Sequence, residues 1–112
     1  MKFQEAIKIT DLIDLIRLEQ DRDCDYCVYG KGDSSNIEID SICYIDDYSD
    51  IDDDDNETYP DFVTNNSLEL WYRDELVQDV VFNCLHQNKS VSNSKILEAI
   101  KYYSSNDCFM NI

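Results

Sequence analysis

Ile9, Leu12, Ile13 and Ile16 occupy the i, i+3, i+4 and i+7 positions of one helical face, which predicts a helix from about Asp11 to Glu19. Thr10 or an immediate neighbour suits its cap, and Asp11 suits the positive end of the helix dipole. The pattern breaks at DRDCD, after which CDYCVYG reads as a short strand ending at Gly30 and KGDSSN as a turn. IEIDSICYID alternates: Ile37, Ile39, Cys43 and Ile45 share one face, Ile42 and Tyr44 the other, with Ser41 out of pattern. Apolar residues on both faces near its end mark a central strand, and the turn before it predicts a hairpin with the preceding strand. Pro60 opens a short helical turn through Phe62 and Val63, Asn65-Asn66 closes it, and LELWY follows as a strand. Leu76, Val77, Val80, Val81, Cys84 and Leu85 form a wide apolar stripe along RDELVQDVVFNCLHQ, with Asp74 as the expected N-cap. A polar joint, NKSVSNS, leads to KILEAIKYYSS, striped by Ile96, Leu97, Ile100 and Tyr103. This order predicts an α+β fold, a small antiparallel or mixed sheet of about three strands packed against three helices. A chain of 112 residues builds one core, so residues 1–112 are expected as a single domain.

The hydrophobic pattern disappears after Ile45. Asp46 to Glu57 reads DDYSDIDDDDNE, eight carboxylates in twelve residues without a base. A regular element here would stack like charges, so a mobile acidic loop is expected at about 46–58. From Asp21 to Asp61 there are 15 acids against Arg22 and Lys31, a local net of −13 within an overall −16. Charge of this size raises self-repulsion in the compact state and points to a basic partner; an acidic loop that only solvates is the bland alternative. Phosphates and anionic membranes would be repelled, so neither nucleic acid nor a membrane surface is an expected direct partner. Tyrosine gives contact area at low entropic cost, and several of the chain's eight tyrosines lie in or beside the run. The expected partner-binding set is therefore Tyr44, Asp46, Asp47, Tyr48, Asp50, Asp52, Asp53, Asp54, Asp55, Glu57 and Tyr59. Tyr44 and Tyr103 are equally well read as ordinary core or boundary residues.

Candidate chemistry is thin. Cys24 and Cys27 have C-x-x-C spacing, but no second pair completes a zinc site, and residues three apart on a strand face opposite ways. Asp50, Asp52 and Asp54 match the first, third and fifth positions of a calcium loop. Asp55 stands where Gly is needed, and Asp61 where a bidentate Glu is needed. His86 lies two residues from Cys84 on a helix, too few to share a face as a dyad. No Gly-x-Ser-x-Gly, P-loop or dinucleotide motif is present. A protein that is not an enzyme, with no cofactor and no metal, is the expectation. The charged N-terminus has no signal-peptide core, and no stretch approaches ~18 apolar residues. Five scattered cysteines fit reduced, buried thiols in a cytoplasmic protein.

The C-terminal half adds a resemblance. LVQDVV-x-NCLHQNKSVSNSKILEAIKYYSSNDCFMNI combines a helix, a polar joint and a second helix ending in Tyr102-Tyr103-Ser104-Ser105-Asn106-Asp107-Cys108-Phe109. Together with the Ile42–Asp47 strand running into acids, it resembles small bacterial immunity proteins of toxin–immunity systems, including those of contact-dependent growth inhibition. The resemblance implies a cytosolic antidote that binds and neutralises one cognate basic toxin, often through a C-terminal nuclease-type domain, by occluding its cleft. It transfers no catalytic or contact residue. The alternative is an acidic nucleic-acid mimic that inhibits a host or phage nuclease, of the anti-restriction or anti-CRISPR type. A metal-binding regulatory module is a third expectation, one that would melt higher with calcium or zinc.

Overall fold

The computed structural model describes residues 2–112. Along it run β1 (Ile7–Lys8), α1 (Ile9–Arg17), β2 (Cys27–Gly30), β3 (Ile42–Asp46), β4 (Asp50–Ile51) and β5 (Glu57–Thr58). Then come α2 (Asp61–Asn65), β6 (Glu69–Arg73), α3 (Asp74–Gln87) and α4 (Asn93–Asn106). The fold is α+β: four helices, an antiparallel four-stranded sheet in the order β1-β3-β2-β6, and a separate β4-β5 pair. The expected hairpin forms, with Val28 opposite Ile45 and Tyr29 opposite Tyr44.

Three helices cover one face of the sheet. Ile9, Leu12, Ile13 and Ile16 of α1 meet Val77, Val80, Val81 and Cys84 of α3 and Ile96, Leu97 and Ile100 of α4. The sheet supplies Val28, Cys43, Ile45 and Tyr72 to the same cluster. Burying one such aliphatic side chain contributes about 1.5–3 kcal/mol, so this cluster supplies most of the stability. The opposite face carries a smaller cluster of Cys27, Tyr29, Val63 and Leu68, capped by α2.

Two details depart from the sequence expectation. Residues 37–41 alternate but form no strand; after a 3-10 turn at Ser34–Asn36 the chain leaves the ladder until Ile42. Their carbonyls are used differently: Ile39 accepts from the Thr10 N–H at 3.0 Å and Ser41 from the Ile9 N–H at 2.9 Å. The N-cap of α1 is Lys8, which makes no side-chain cap, so these carbonyls satisfy donors the helix cannot pair itself. The second is a bulge. Tyr72 pairs with Val28 and Leu70 with Tyr29, leaving Trp71 as an extra residue on β6. A bulge turns two successive side chains to one side, and Trp71 and Tyr72 both enter the helix-side cluster. The Trp71 ring lies over Gly30, where an added Cβ would come within 2.1 Å of it, and its Nε1 donates to the Gly32 carbonyl at 3.0 Å.

The two ends of the chain are clasped together. Arg17 donates to the Val91 carbonyl at 2.7 Å, and Asn93 donates to Thr10 Oγ1 at 2.9 Å and Asp14 Oδ1 at 2.7 Å. Ser92 caps α4 by accepting from the Lys95 N–H at 3.1 Å. Among the described residues, no helix is long and apolar enough to cross a membrane.

Candidate partner-binding surface

The acidic run begins as the end of a central strand, and that origin decides what its first residues do. Asp46, paired opposite Cys27, is only 2% exposed; it accepts from Gln4 Nε2 at 3.1 Å and from the Asp47 N–H at 2.8 Å. The Asp47 side is tied down through its carbonyl, which accepts from the Tyr29 hydroxyl at 2.7 Å. Tyr48 reaches across to Asp74, its hydroxyl donating to Oδ1. That bond to a carboxylate pushes the Tyr48 hydroxyl pKa up, and burial adds to it. The Arg73 guanidinium sits 5.7 Å from the centre of the same ring.

Asp74 is expected from sequence to be the N-cap of α3, but the cap position is Arg73, and Asp74 is the first residue of the helix. Its buried carboxylate accepts from the Tyr26 N–H at 3.3 Å, the Glu75 N–H at 2.8 Å and Tyr48. One side chain thus fastens the residue leading into β2, the start of α3 and the acidic run. A second buried carboxylate, Asp21, accepts from the Tyr26 hydroxyl at 2.6 Å and Gln78 Nε2 at 2.9 Å. Burial first, and the Asp21 bond second, raise the Tyr26 hydroxyl pKa far above its ordinary value.

From Asp50 to Thr58 every residue is exposed. Where sequence leads one to expect an irregular loop, Asp50 pairs with Thr58 and Ile51 with Glu57. The turn is organised by Asp52, whose Oδ1 accepts from the Asp54 and Asn56 N–H groups, each at 2.9 Å. The Asp52 N–H donates to the Asn56 carbonyl at 3.0 Å, and Asp55 takes a left-handed φ of 62°, a conformation Asp tolerates. Two carboxylates roughly 6 Å apart in water repel by about 0.7 kcal/mol, and salt screens them further. Each hydrogen bond returns about 1 kcal/mol. Asp53, Asp54 and Asp55 have no ion-pair partner among the described residues, where the ion pairs are Lys2–Glu5 and Lys95–Glu98. Ile51, 70% exposed, is an apolar side chain set among them.

The eleven expected residues therefore separate into groups. Asp47, Asp50, Asp52–Asp55 and Glu57 are exposed, and Tyr48 is partly so. Tyr44 and Tyr59 are half-buried and belong to the far-face cluster, edge-on to Phe62 at 5.5 Å and Tyr29 at 6.3 Å. Asp46 points inward. These three brace the surface rather than form it. Sequence reasoning misses Asp21 and reads Asp74 only as a helix cap, because a buried carboxylate looks like any other in an acid-rich chain. It also misses the Trp71 bulge, whose one sequence trace is Gly30 at the end of a strand.

No group of three His, Cys, Asp or Glu side chains able to hold a metal occurs among the described residues. All five cysteines are free; burial pushes the Cys27 thiol up to about 11 and the Cys43 thiol up to about 12. A cavity of about 450 Å³ opens at the end of the sheet between Trp71, Tyr44 and the 31–41 segment.

A family profile matches residues 8–112, from the cap of α1 to the C-terminus. The chain belongs to the DUF7716 family, a domain of unknown function. The DUF7716 match takes in all four helices, the acidic hairpin and three of the four strands of the main sheet. No curated protein and no solved structure matches the chain.

Proposed function

We propose that this chain is a non-catalytic binding protein of the immunity type, which neutralises a cognate toxin by laying its acidic hairpin into a basic cleft. The observation that carries this is the Asp50–Thr58 hairpin: six carboxylates and no base, all exposed, on a turn held by its own backbone and Asp52. A turn fixed before binding lowers the ordering cost of association. A nuclease must present cations to phosphate, so its cleft is the surface such a hairpin complements. Ile51 supplies the apolar contact that slows dissociation, while the surrounding charge speeds encounter. The chain acts in the cytoplasm, where such a toxin would meet its substrate. The resemblance of the Ile42–Asp47 strand and the Tyr102–Phe109 segment to immunity proteins points the same way.

The test is capture of a toxin domain encoded beside this chain, followed by kinetics with Asp52, Asp53, Asp54 and Asp55 all changed to Asn. Association should slow by about tenfold or more and lose most of its salt dependence. Unchanged tight binding by that variant would refute the hairpin as the plug.

A further inference from the structure

A second surface continues from the anchored end of the acidic run. β6 is the outer strand of the sheet, and beside its free edge lies an open groove of about 340 Å³. Leu70 to Arg73 form one wall, Glu75, Leu76 and Asp79 of α3 another, and Tyr103 of α4 closes it. Its contents are ordered by sign. Leu70, Leu76 and Tyr103 are half-buried and apolar, while Glu75 and Asp79 are exposed and form no ion pair among the described residues. Arg73, the one cation of the lining, is turned onto the Tyr48 ring. Through Arg73, Tyr48 and Asp74 the groove is continuous with the acidic run.

A second copy of this chain does not fit the edge. Glu69 sits opposite Gly30 and Arg73 opposite Cys27, residues three apart on β2 and so on opposite faces of the sheet. Antiparallel self-pairing would bring these two charges opposite one another along the edge but on different faces. The bulge interrupts the ladder as well, and two copies of net charge −16 repel. What matches is a segment held by side chains: extended, with basic residues toward Glu75 and Asp79 and apolar ones against Leu70 and Leu76.

We propose that the β6–α3 groove docks an extended, basic and apolar segment of the partner protein, a second contact beside the acidic hairpin. The proposal rests on a basic partner, as above, but on different residues. A capped peptide, Lys-Leu-Lys-Ser-Lys-Leu-Lys, serves as probe, with Glu in place of Lys as control. Trp71 lines both the groove and the cavity beside Tyr44 and is the only tryptophan of the chain, so its fluorescence follows binding at either and the amide shifts assign the site. The lysine peptide should give a saturable change, with amide shifts confined to residues 69–79 and 103. Changing Glu75→Gln and Asp79→Asn together should weaken it about fivefold. A response equal for the glutamate peptide, one insensitive to Glu75 and Asp79, or no saturable response would overturn the groove. Shifts confined to residues 50–58 would also overturn it while leaving the hairpin proposal standing.

Discussion

The start of the acidic run, Asp46 to Tyr48, and the hairpin that follows, Asp50 to Thr58, both carry aspartates and live under different physics. Asp46, Asp47 and Tyr48 continue a buried strand, and each is fastened to the fold by a named partner: Gln4, Tyr29 and Asp74. Asp50 to Thr58 are exposed and fastened mainly to each other. Near the sheet, a carboxylate is an acceptor that satisfies donors in low dielectric, where an unpaired group costs about 1–3 kcal/mol. Four residues on, it is a solvated charge whose effect on folding is small and whose effect on an approaching cation is long-ranged. Net charge alone does not separate these roles; the position of the strand end does.

Four perturbations set the two regions apart, from the largest effect to the smallest. Alkali should strike the anchored side. Burial raises the Cys27 and Cys43 thiols to about 11 and about 12, and the Tyr26 and Tyr29 hydroxyls are raised as well. The unfolded chain therefore loses these protons first. Their contribution to stability is complete below about pH 9 and is lost as pH rises through 12, which denaturant titrations across that range would register. Changing Asp74→Ala should cost about 3 kcal/mol, since it strands the Tyr26 and Glu75 N–H groups and the Tyr48 hydroxyl together, seen as a lower urea midpoint. Tyr48→Phe should cost about 1 kcal/mol and raise amide exchange through residues 46–50. Changing Asp52, Asp53, Asp54 and Asp55 to Asn should move stability by no more than about 0.5 kcal/mol, because Asn keeps the turn's acceptor and relieves repulsion. A large loss there would erase the distinction, as would an Asp74→Ala variant as stable as the parent.

Much of the fold is legible in the chain because periodicity is strong where burial is one-sided. The stripes of α1, α3 and α4, the Cys27–Gly30 and Ile42–Asp46 hairpin, the short helix after Pro60 and the Glu69–Arg73 strand all stand where the pattern puts them, within a few residues. β1 leaves no trace, since Ile7 and Lys8 are too few to show a period. Ile37 and Ile39 mislead because alternation is also what a loop produces when it drops one side chain into the core and lends its carbonyls to a helix end. The hairpin at Asp50–Thr58 is hidden by charge: its order comes from backbone pairing and the Asp52 carboxylate, and neither leaves a hydrophobic signature. At the candidate surface the exposed aspartates are legible as a run, but Asp46 and Asp74 are not, because their burial depends on partners 42, 48 and 26 residues away.

The clasp between Arg17 and Val91 spans 74 residues, which has a consequence for the chain's synthesis. At about 5–20 residues per second, roughly 4–15 s pass between the making of α1 and the making of the joint that holds it. Through that interval Ile9, Leu12, Ile13 and Ile16 have no α4 to close over them. The acidic run is made within the same window. Its charge keeps neighbouring nascent chains apart while the first helix waits for the last, so a segment proposed to attract a partner would first act as a repellent among copies of itself.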